Sequence, residues 1–577
     1  MKNKLFVNLY RFIDIIILTF LVFDFGFSVN DDYKPYKLVG FFAITITLVA
    51  FNVIKHYQFR DKGSKKSVRI NLIILLWTLF AATVFILYNS DHTVVEQTLK
   101  TKVIFEIGLF LYLLIRLSFL IKYIYKIYFN PAILFVGSFG IFSLIGAFFL
   151  MLPKVTTHGI SFIDALFTST SAICVTGLIV LDTAKDFTQL GQTVIMVLIQ
   201  IGGLGILTFT SFFAYFFKEN SSFSEGMYIK DFTSSENLYD VFNLAVKIVL
   251  FTLGIEAIGA LLIYTSISDD PTVNNKFFFS IFHSVSAFCN AGFSTSSSSF
   301  YAATLRFNYG LQWVVMILIV CGGLGYNIVF NIFTYFKTFL LNLFKAKKIK
   351  TVRVITLNSK LILVTTLVLL LAGGLFFYFG EANFTQKAHT SIFGKITTAM
   401  FSSVTPRTAG FNTVDYTHMA TPSLLFVILL MWIGASPAST GGGIKTSTFA
   451  IATLNIFATA RGKKRIEINS REISSSTVNR AFSIISISLI IIGVAIMFLL
   501  YFEPDKTLME LAFECFSAYS TVGLSLNVTP TLSYGGKIVI ILVMFLGRIG
   551  MLNLLFGIMG EVEQKFYQYP QENILIN

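Results

Sequence analysis

Long apolar runs, each close to the length that spans a bilayer, follow one another along most of the chain. A membrane-spanning helix needs about 20 apolar residues. The first five runs cover residues 15–27, 38–54, 70–87, 103–120 and 132–152. The first is followed by Asn30, Asp31 and Asp32 rather than by a small-residue cleavage site, which predicts a retained helix and not a signal peptide. The pattern predicts an all-α membrane protein.

From about residue 128 the pattern becomes repetitive. A long apolar run, a short hydroxyl-rich stretch ending in glycine and a second long apolar run occur four times. The glycines are Gly177, Gly292, Gly410 and Gly523, which are 115, 118 and 113 residues apart. Outer helices are predicted near 132–152, 241–264, 361–379 and 481–502, and inner helices near 193–216, 311–333, 424–456 with an interruption, and 538–557. Regular spacing of this kind indicates one unit used four times.

The hydroxyl-rich stretches are too short to cross a bilayer and are predicted to dip in and return. They cover residues 168–172, 284–287, 402–405 and 517–521. Basic loops at 337–360 and 461–480 should share one face, and they do so only if the stretch between them does not cross. Non-helical backbone at membrane depth needs protein or water around it, so these stretches should line a cavity.

The predicted organisation therefore has five parts. Residues 1–127 form accessory transmembrane helices, 128–225 repeat one, 226–345 repeat two, 346–466 repeat three and 467–577 repeat four. The expected fold is four helix, re-entrant loop and helix repeats in a pseudo-fourfold arrangement, plus the N-terminal helical bundle.

Composition and charge placement agree with a membrane location. The chain is 55% hydrophobic and 13% charged, and its net charge is +14. The basic residues cluster in loops at 55–69, 337–360 and 461–480, which is typical of cytoplasmic loops. Nucleic-acid binding is disfavoured because the clusters lack the interleaved aromatic and glycine motifs of common RNA-binding modules. With the N-terminus inside, twelve crossings place the C-terminus inside as well.

The four glycine turns are the candidate ion site. A cation that sheds water needs several carbonyl oxygens at one level, and glycine accepts the positive φ that aims successive carbonyls to one side. The candidate filter residues are Val175, Thr176, Gly177, Asn290, Ala291, Gly292, Thr408, Ala409, Gly410, Thr521, Val522 and Gly523. A single such glycine is usually a packing residue. Four at matching positions favour a shared function.

The third inner helix is interrupted by residues 434–443, which are rich in glycine, serine and proline. Gly441, Gly442 and Gly443 are predicted to belong to a flap beneath the filter; the alternative is a loop that only accommodates neighbouring helices. A phosphate loop at Lys445 is excluded because no glycine directly precedes the lysine and no strand precedes the loop.

Several charged residues lie in or near apolar runs. Arg548, in the fourth inner helix, needs a partner or water, and loop carbonyls near 441–443 are candidates. Lys445 could instead extend to the interface. Arg407 and Glu514 are interpreted as braces behind the filter, whereas the role of Glu256 stays open.

The four turn sequences resemble the filter loops of the Trk/Ktr/HKT superfamily of potassium transporters, most nearly the TrkH and KtrB pore subunits. The resemblance rests on residues 172–178, 288–293, 405–413 and 520–525 and extends from about residue 128 to the end. It implies a gated potassium uptake channel in the bacterial plasma (inner) membrane, multi-pass, with both termini cytoplasmic. Glycine in all four filters is the pattern associated with potassium in that family.

Further expectations come from the resemblance alone. Residues 434–443 would be the intramembrane gating loop, held by Arg548 and Lys445, which would add a positive barrier at the waist of the pore. Potassium would be the transported ion, with no bound organic cofactor. The chain would form a homodimer, surrounded by membrane lipid, with one pore per subunit. It would sit on a cytoplasmic ring of nucleotide-binding RCK subunits of the TrkA or KtrA kind.

Two other classes of protein predict different sequence patterns. An alternating-access, cation-coupled secondary transporter predicts two inverted repeats rather than four repeats in one orientation. A membrane enzyme needs convergent His, Asp or Glu side chains, but the six histidines are scattered, and His283 and His389 adjoin pore stretches without evident partners. The sequence therefore predicts a transport protein and not an enzyme.

Overall fold

The structure is a computed structural model that describes residues 15–27, 40, 43–44, 47, 131–217, 238–267, 273, 275–344, 356–463, 465–468 and 471–550. Most of the predicted N-terminal helices, the predicted boundaries at 127/128, 225/226 and 345/346, the basic loop 55–69 and residues 551–577 lie outside this range. Residues 345–355, 464 and 469–470 of the other two basic loops lie outside it as well. The chain divides into two compact units. One comprises 1–129, 148–165 and 185–194, and the other 130–147, 166–184 and 195–577.

The described part is almost entirely helical, as predicted. Its one sheet is a two-stranded antiparallel hairpin, Glu467–Ile468 with Arg471–Glu472. The outer helices are Pro131–Leu150, Leu238–Ser266, Leu357–Gly380 and Ser475–Phe502. The short helices are Phe162–Ile173, Lys276–Phe288, Ile392–Val404 and Leu508–Tyr519. The inner helices are Gln189–Phe217, Tyr309–Leu324 with Tyr326–Phe344, Thr421–Trp432 with Thr446–Ala460, and Tyr534–Ile549. A helix at Ile15–Gly26 matches the first apolar run.

Three described helices are long and apolar enough to cross a membrane. They are Val246–Ser266, Leu357–Gly380 and Ser475–Phe502, and the bent pair Tyr309–Leu324 and Tyr326–Thr338 would be a fourth. Large apolar side chains on these helices face outward, with Leu375 62% and Met497 71% exposed. Such surfaces suit lipid, since burying them in hydrocarbon costs nothing.

Each short helix begins at a side chain that caps its first turn. The capping residues are Ser161, Asn275, Ser391 and Thr507, whose oxygens accept from the backbone N–H three residues later. These bonds satisfy amide groups that a helix start leaves unpaired. At the fourth helix Glu510 completes a capping box, and the N–H of Thr507 holds the pKa of Glu510 below its usual range.

Serines of three short helices hydrogen-bond to the backbone of the outer helix in the same repeat. Ser169 donates to Ser143 O at 2.7 Å, Ser284 to Glu256 O at 2.6 Å and Ser403 to Leu370 O at 2.8 Å. A glycine on the outer helix makes room for each serine, namely Gly146, Gly259 and Gly373. Small residues let helix backbones approach closely in membranes. These contacts fix three of the short helices against their outer helices.

Buried glutamates join outer to inner helices in repeats three and four. Glu381 follows its outer helix and accepts from the N–H of Ala420 at 3.2 Å. Glu503 follows the equivalent helix and accepts from the N–H of Ser533 at 2.6 Å. Ala420 and Ser533 immediately precede inner helices, so each carboxylate lies at a helix N-terminus, where negative charge is favoured.

The inner helices break in more places than the sequence predicted. The prediction of continuous inner helices in repeats one and two is wrong, because Gly205 has φ 64° and Gly325 has φ 77°. At Gly325 the helix axis bends by 104°. The fourth inner helix ends at Ile549, where Gly550 has φ 81°. The physical reason is that these glycines adopt a left-handed conformation that interrupts helical hydrogen bonding.

We predict that Gly259→Ala destabilises the protein by ~1–3 kcal/mol, because the new methyl would lie 2.8 Å from Leu318 and displace the Ser284 hydroxyl. Gly254→Ala, five residues earlier on the same helix, meets open space and should be neutral or slightly stabilising. Thermal unfolding of the detergent-solubilised protein compares the two variants. Equal melting temperatures would contradict the packing role of Gly259.

Candidate functional site

The turns after the four short helices share one backbone conformation. Each glycine has positive φ, with values of 87°, 71°, 73° and 92° at Gly177, Gly292, Gly410 and Gly523. The residues two positions earlier also have positive φ, namely Val175, Asn290, Thr408 and Thr521 at 56°, 60°, 73° and 51°. Alternating conformations of this kind place successive N–H groups on one side of a turn and carbonyl oxygens on the other.

Three of these left-handed residues are β-branched, which makes the conformation costly. Val175, Thr408 and Thr521 each pay a penalty that glycine would avoid. Strain of about 1–3 kcal/mol per residue persists where the surroundings impose it, most often at functional sites. The repetition at equivalent positions therefore marks the turns as the candidate site.

The four glycines contact one another in cyclic order. A Cβ on Gly292 would lie 2.9 Å from Ala409 O and 3.2 Å from the Cα of Gly410. The same relation joins Gly177 to Ala291 O and Gly292, Gly410 to Val522 O and Gly523, and Gly523 to Thr176 O and Gly177. Each glycine thus faces the carbonyl before the next glycine, and the cycle closes. No side chain fits at any of the four positions.

Hydroxyl groups at the ends of the short helices tether the turns. In repeats one and four the glycine N–H donates to a serine, Ser171 and Ser517, at 3.1 Å in both. In repeats two and three the hydroxyl donates across the turn, Ser286 to Phe293 O at 2.7 Å and Thr405 to Phe411 O at 2.8 Å. The hydroxyl-rich composition of these stretches thus has a structural cause.

Two ionisable side chains brace the turns of repeats two and four from equivalent positions. His283 and Glu514 each stand nine residues before the glycine. His283 Nε2 lies 2.9 Å from Ser294 Oγ and Nδ1 lies 2.9 Å from Phe279 O. Glu514 accepts from the hydroxyls of Ser525 and, at 2.7 Å, Thr529.

The contacts of Glu514 fit the bracing interpretation from sequence. The hydrogen-bond partners that the structure shows for His283 and His389 are hydroxyl and carbonyl groups; His389 lies 3.0 Å from Tyr309 Oη and 3.3 Å from Thr398 Oγ1. No local sequence signal indicates these hydroxyl partners.

Arg407 connects the third turn to the helices behind it. Its guanidinium donates to Thr366 O and Gly434 O, both at 3.4 Å, and the residue is 8% exposed. Gly434 lies near the start of the interrupted stretch of the third inner helix. The arginine therefore links the turn at Gly410 to the start of that stretch.

The interrupted stretch, residues 433–445, forms a loop packed directly against the turns. Gly442 N–H donates to Thr521 Oγ1 at 3.0 Å, and Thr440 Oγ1 donates to Phe288 O at 3.3 Å. A side chain on Gly441 would overlap the Thr408 hydroxyl, and Gly443 adopts φ 66°. The loop thus contacts repeats two, three and four, and its glycines permit that approach.

Arg548 and Lys445 both bind carbonyl groups of the loop. Arg548 donates to Thr440 O and to Gly202 O of the first inner helix. Lys445 Nζ donates to Gly441 O at 2.6 Å. Sequence placed the Arg548 partner near 441–443, and its partner is one residue earlier. The side chain of Lys445 binds the loop. The alternative considered from the sequence, that this side chain extends to the membrane interface, therefore does not describe this structure.

A cavity of about 370 Å³ lies beside the loop. Its wall includes loop residues 437–441 and the broken inner helices at Gly205, Gly325 and Gly550. Among the described residues that line it, Lys445, Arg480 and Arg548 are basic and none is acidic. The wall is therefore electropositive where the loop closes it.

A polar cluster lies between repeats one and two. Glu256, 5% exposed, accepts from Gln200 Nε2 at 3.1 Å and lies 3.7 Å from Cys289 Sγ. These groups connect an outer helix, an inner helix and the end of a short helix. The sequence left Glu256 open, and the structure makes it a helix contact.

No group of three His, Cys, Asp or Glu side chains in the described part of the chain could hold a metal ion. The oxygens available at the glycine turns are instead main-chain carbonyls and hydroxyls. Such neutral oxygens are ligands suited to alkali cations passing through.

Comparison with known proteins identifies the relatives of the chain. Residues 125–568 match the family model described as TrkH, cation transport protein. The chain is 37% identical over 454 residues to the potassium/sodium uptake protein NtpJ of Enterococcus hirae, which covers 78% of the chain and 97% of that protein. It is also 37% identical over 445 residues to the Ktr system potassium uptake protein B of Bacillus subtilis, covering 77% and 96%.

One solved structure shows the same fold. The crystal structure of the potassium transporter TrkH from Vibrio parahaemolyticus matches 84% of this chain and 97% of its own, with a TM-score of 0.57 and 16% identity. The helical architecture is therefore that of TrkH.

We predict that Ser286→Ala loosens the second turn, because Phe293 O loses its hydroxyl donor inside the protein. Amide hydrogen exchange of the peptide around 290–293 should accelerate by about five-fold, the factor that corresponds to ~1 kcal/mol. Ser280→Ala is the matched control, since Ser280 donates only to Lys276 O within its own helix. Equal exchange in both variants would refute the tether.

Proposed function

Because the chain belongs to the TrkH family of cation transport proteins, we propose that it is the pore subunit of a gated potassium uptake system. Potassium would pass through the ring of glycine turns down the membrane potential, which favours entry by about 2.3 kcal/mol per charge at 100 mV. The relatives named above are potassium or potassium/sodium uptake proteins, which supports a monovalent cation as the substrate.

The closed cycle of glycine contacts carries this proposal. In each of the four turns the glycine lies against the carbonyl that precedes the next glycine, which supports a ring of main-chain oxygens from four repeats. A cation entering there would exchange its water shell for carbonyl dipoles. We propose as the filter the residues named from sequence, with Gly177, Gly292, Gly410 and Gly523 at its centre.

A pseudo-fourfold arrangement fits a channel better than a two-state carrier. The cyclic contacts join consecutive repeats and then the last to the first, as four units in one orientation require. An alternating-access transporter built from two inverted halves predicts a different pattern. We propose the repeat boundaries 128–225, 226–345, 346–466 and 467–577, with accessory helices at 1–127.

Residues 433–445 are proposed as the gate. In this structure the loop occupies the space against the turns of repeats two, three and four, and Arg548 and Lys445 hold its carbonyls. Opening would require Gly441, Gly442 and Gly443 to leave the turns. The adjoining basic wall would oppose cations until then.

The relatives support a proposal about the wider assembly. The Bacillus subtilis protein named above belongs to a Ktr system, which supports a separate regulatory partner for this chain. We propose a homodimer on a cytoplasmic RCK-type ring of the TrkA or KtrA kind, in the bacterial plasma (inner) membrane, with both termini cytoplasmic. The basic loops are candidate docking surfaces.

Rubidium uptake into potassium-starved cells tests the filter. Gly410→Asp should abolish uptake, because its Cβ would overlap Val522 O and its carboxylate would enter the ring. Gly310→Asp adds the same charge at the start of an inner helix, where the nearest atom is 3.6 Å away, and should preserve uptake. Undiminished uptake by a well-expressed Gly410→Asp variant would contradict the filter.

Substitutions of Arg548 test the proposed gate. Arg548→Ala should raise rubidium flux through reconstituted protein, because Thr440 O and Gly202 O lose a shared donor and the positive charge disappears. Arg548→Lys keeps the charge but not the fork that reaches both carbonyls, so an intermediate flux is expected. If both variants conduct no faster than the parent, Arg548 does not hold the gate closed.

A further inference from the structure

The side chains two residues before the filter glycines differ among the repeats. They are Val175, Asn290, Thr408 and Thr521, and all four are fully buried. Two carry hydroxyls and one a carboxamide. A hydroxyl has one donor and two acceptor lone pairs, so it can ligate a cation or accept a hydrogen bond.

The hydroxyl of Thr521 is occupied by the loop. Gly442 N–H donates to Thr521 Oγ1 at 3.0 Å in a buried setting. A Cβ on Gly442 would lie 2.8 Å from Thr521 Cγ2, so only glycine brings its N–H this near. The amide hydrogen of Gly442, which carries a partial positive charge, therefore lies against the side-chain oxygen of Thr521 in the fourth turn.

Thr408 presents its oxygen to the same loop. With the Asn290 amide oriented to satisfy its neighbours, Nδ2 donates to Ala287 O at 2.9 Å and Ile319 O at 3.2 Å. Asn290 Oδ1 then accepts from the Thr408 hydroxyl at 3.1 Å. The hydrogen of Thr408 is thereby used, and its lone pairs remain on the side where Gly441 packs.

We propose that Thr408 Oγ1 and Thr521 Oγ1 form an inner site for a partly dehydrated alkali cation, and that Gly442 N–H replaces the cation there when the loop is closed. The inference rests on the proposed pore. Asn290 is a positioning residue that orients the Thr408 hydroxyl. Closure of the loop and occupancy of this site exclude each other.

The exclusion couples the transported ion to the gate. A ligand that binds one of two states shifts the equilibrium toward that state, and the effect is reciprocal. A cation arriving from the filter therefore favours departure of the loop, whereas an empty site favours its return. Repeat one contributes no hydroxyl, because the equivalent residue is Val175. The side chain of Val175 packs toward Gly202 of an inner helix.

The experiment follows loop exposure in the full chain reconstituted in lipid vesicles. Ser439→Cys, in a Cys321→Ala background, places the reactive thiol on the loop in the cavity wall. Its rate of modification by a water-soluble thiol reagent is measured in choline and in saturating rubidium. Rubidium should raise the rate by about five-fold or more in the otherwise unchanged protein.

Thr521→Val removes the oxygen and keeps the shape of the side chain. The rate in choline should rise by about five-fold because Gly442 N–H loses its acceptor, and the response to rubidium should disappear. Thr521→Ser should restore both. Thr453→Val is the matched control, since its hydroxyl bonds only to Phe449 O in its own helix, and it should behave as the parent.

A Thr521→Val protein that responds to rubidium as the parent does would overturn the inner site. Loss of the response in Thr521→Ser as well would also overturn it, because the hydroxyl would then not be the determinant. Rubidium uptake by the same vesicles separates this failure from failure of the pore. If the parent takes up rubidium and Gly410→Asp does not, the filter stands whatever the outcome at Thr521.

Discussion

The contact between each turn glycine and the carbonyl of the following repeat is the constraint on which the arrangement depends. At Gly292 a methyl group would approach Ala409 O to 2.9 Å, and at the other three positions the corresponding carbonyl oxygen is closer still. The short helices, their capping residues and their serine bonds to three of the outer helices all hold these turns in contact. The membrane supplies no hydrophobic force between helices, so packing and hydrogen bonds must provide that precision.

Three basic side chains, Arg407, Lys445 and Arg548, are hydrogen-bonded to neutral main-chain carbonyls. Arg548 and Lys445 bind main-chain carbonyls of the loop, and Arg407 binds Thr366 O of an outer helix and Gly434 O of the loop. Carbonyls that a helix interruption leaves without a helical partner are available for such contacts. The interruption of the third inner helix therefore supplies carbonyl partners to these basic side chains, and those side chains in turn satisfy carbonyls that the interruption leaves unpaired.

Sequence predicted the helical membrane class, the family and the positions of the four glycine turns, because even spacing is visible without coordinates. The TrkH family match and fold confirm the class and the family, while the roles of the filter residues stay predictions. Sequence did not predict the breaks at Gly205 and Gly325, since glycine in an apolar run is usually a packing residue. It also missed the partners of His283, which depend on tertiary placement of Ser294.

The order of the glycine contacts has a consequence for biosynthesis. The first three contacts join neighbouring repeats, but the last joins Gly523 to Thr176 and Gly177, more than three hundred residues earlier. During translation the nascent chain must hold three inserted repeats with two of the four glycine contacts unmade, those of Gly410 and Gly177 with Gly523, until the C-terminal repeat emerges. The strained turn at Val175 would wait longest for its neighbour, so completion of the last helix pair is the step that commits the whole chain to its native form.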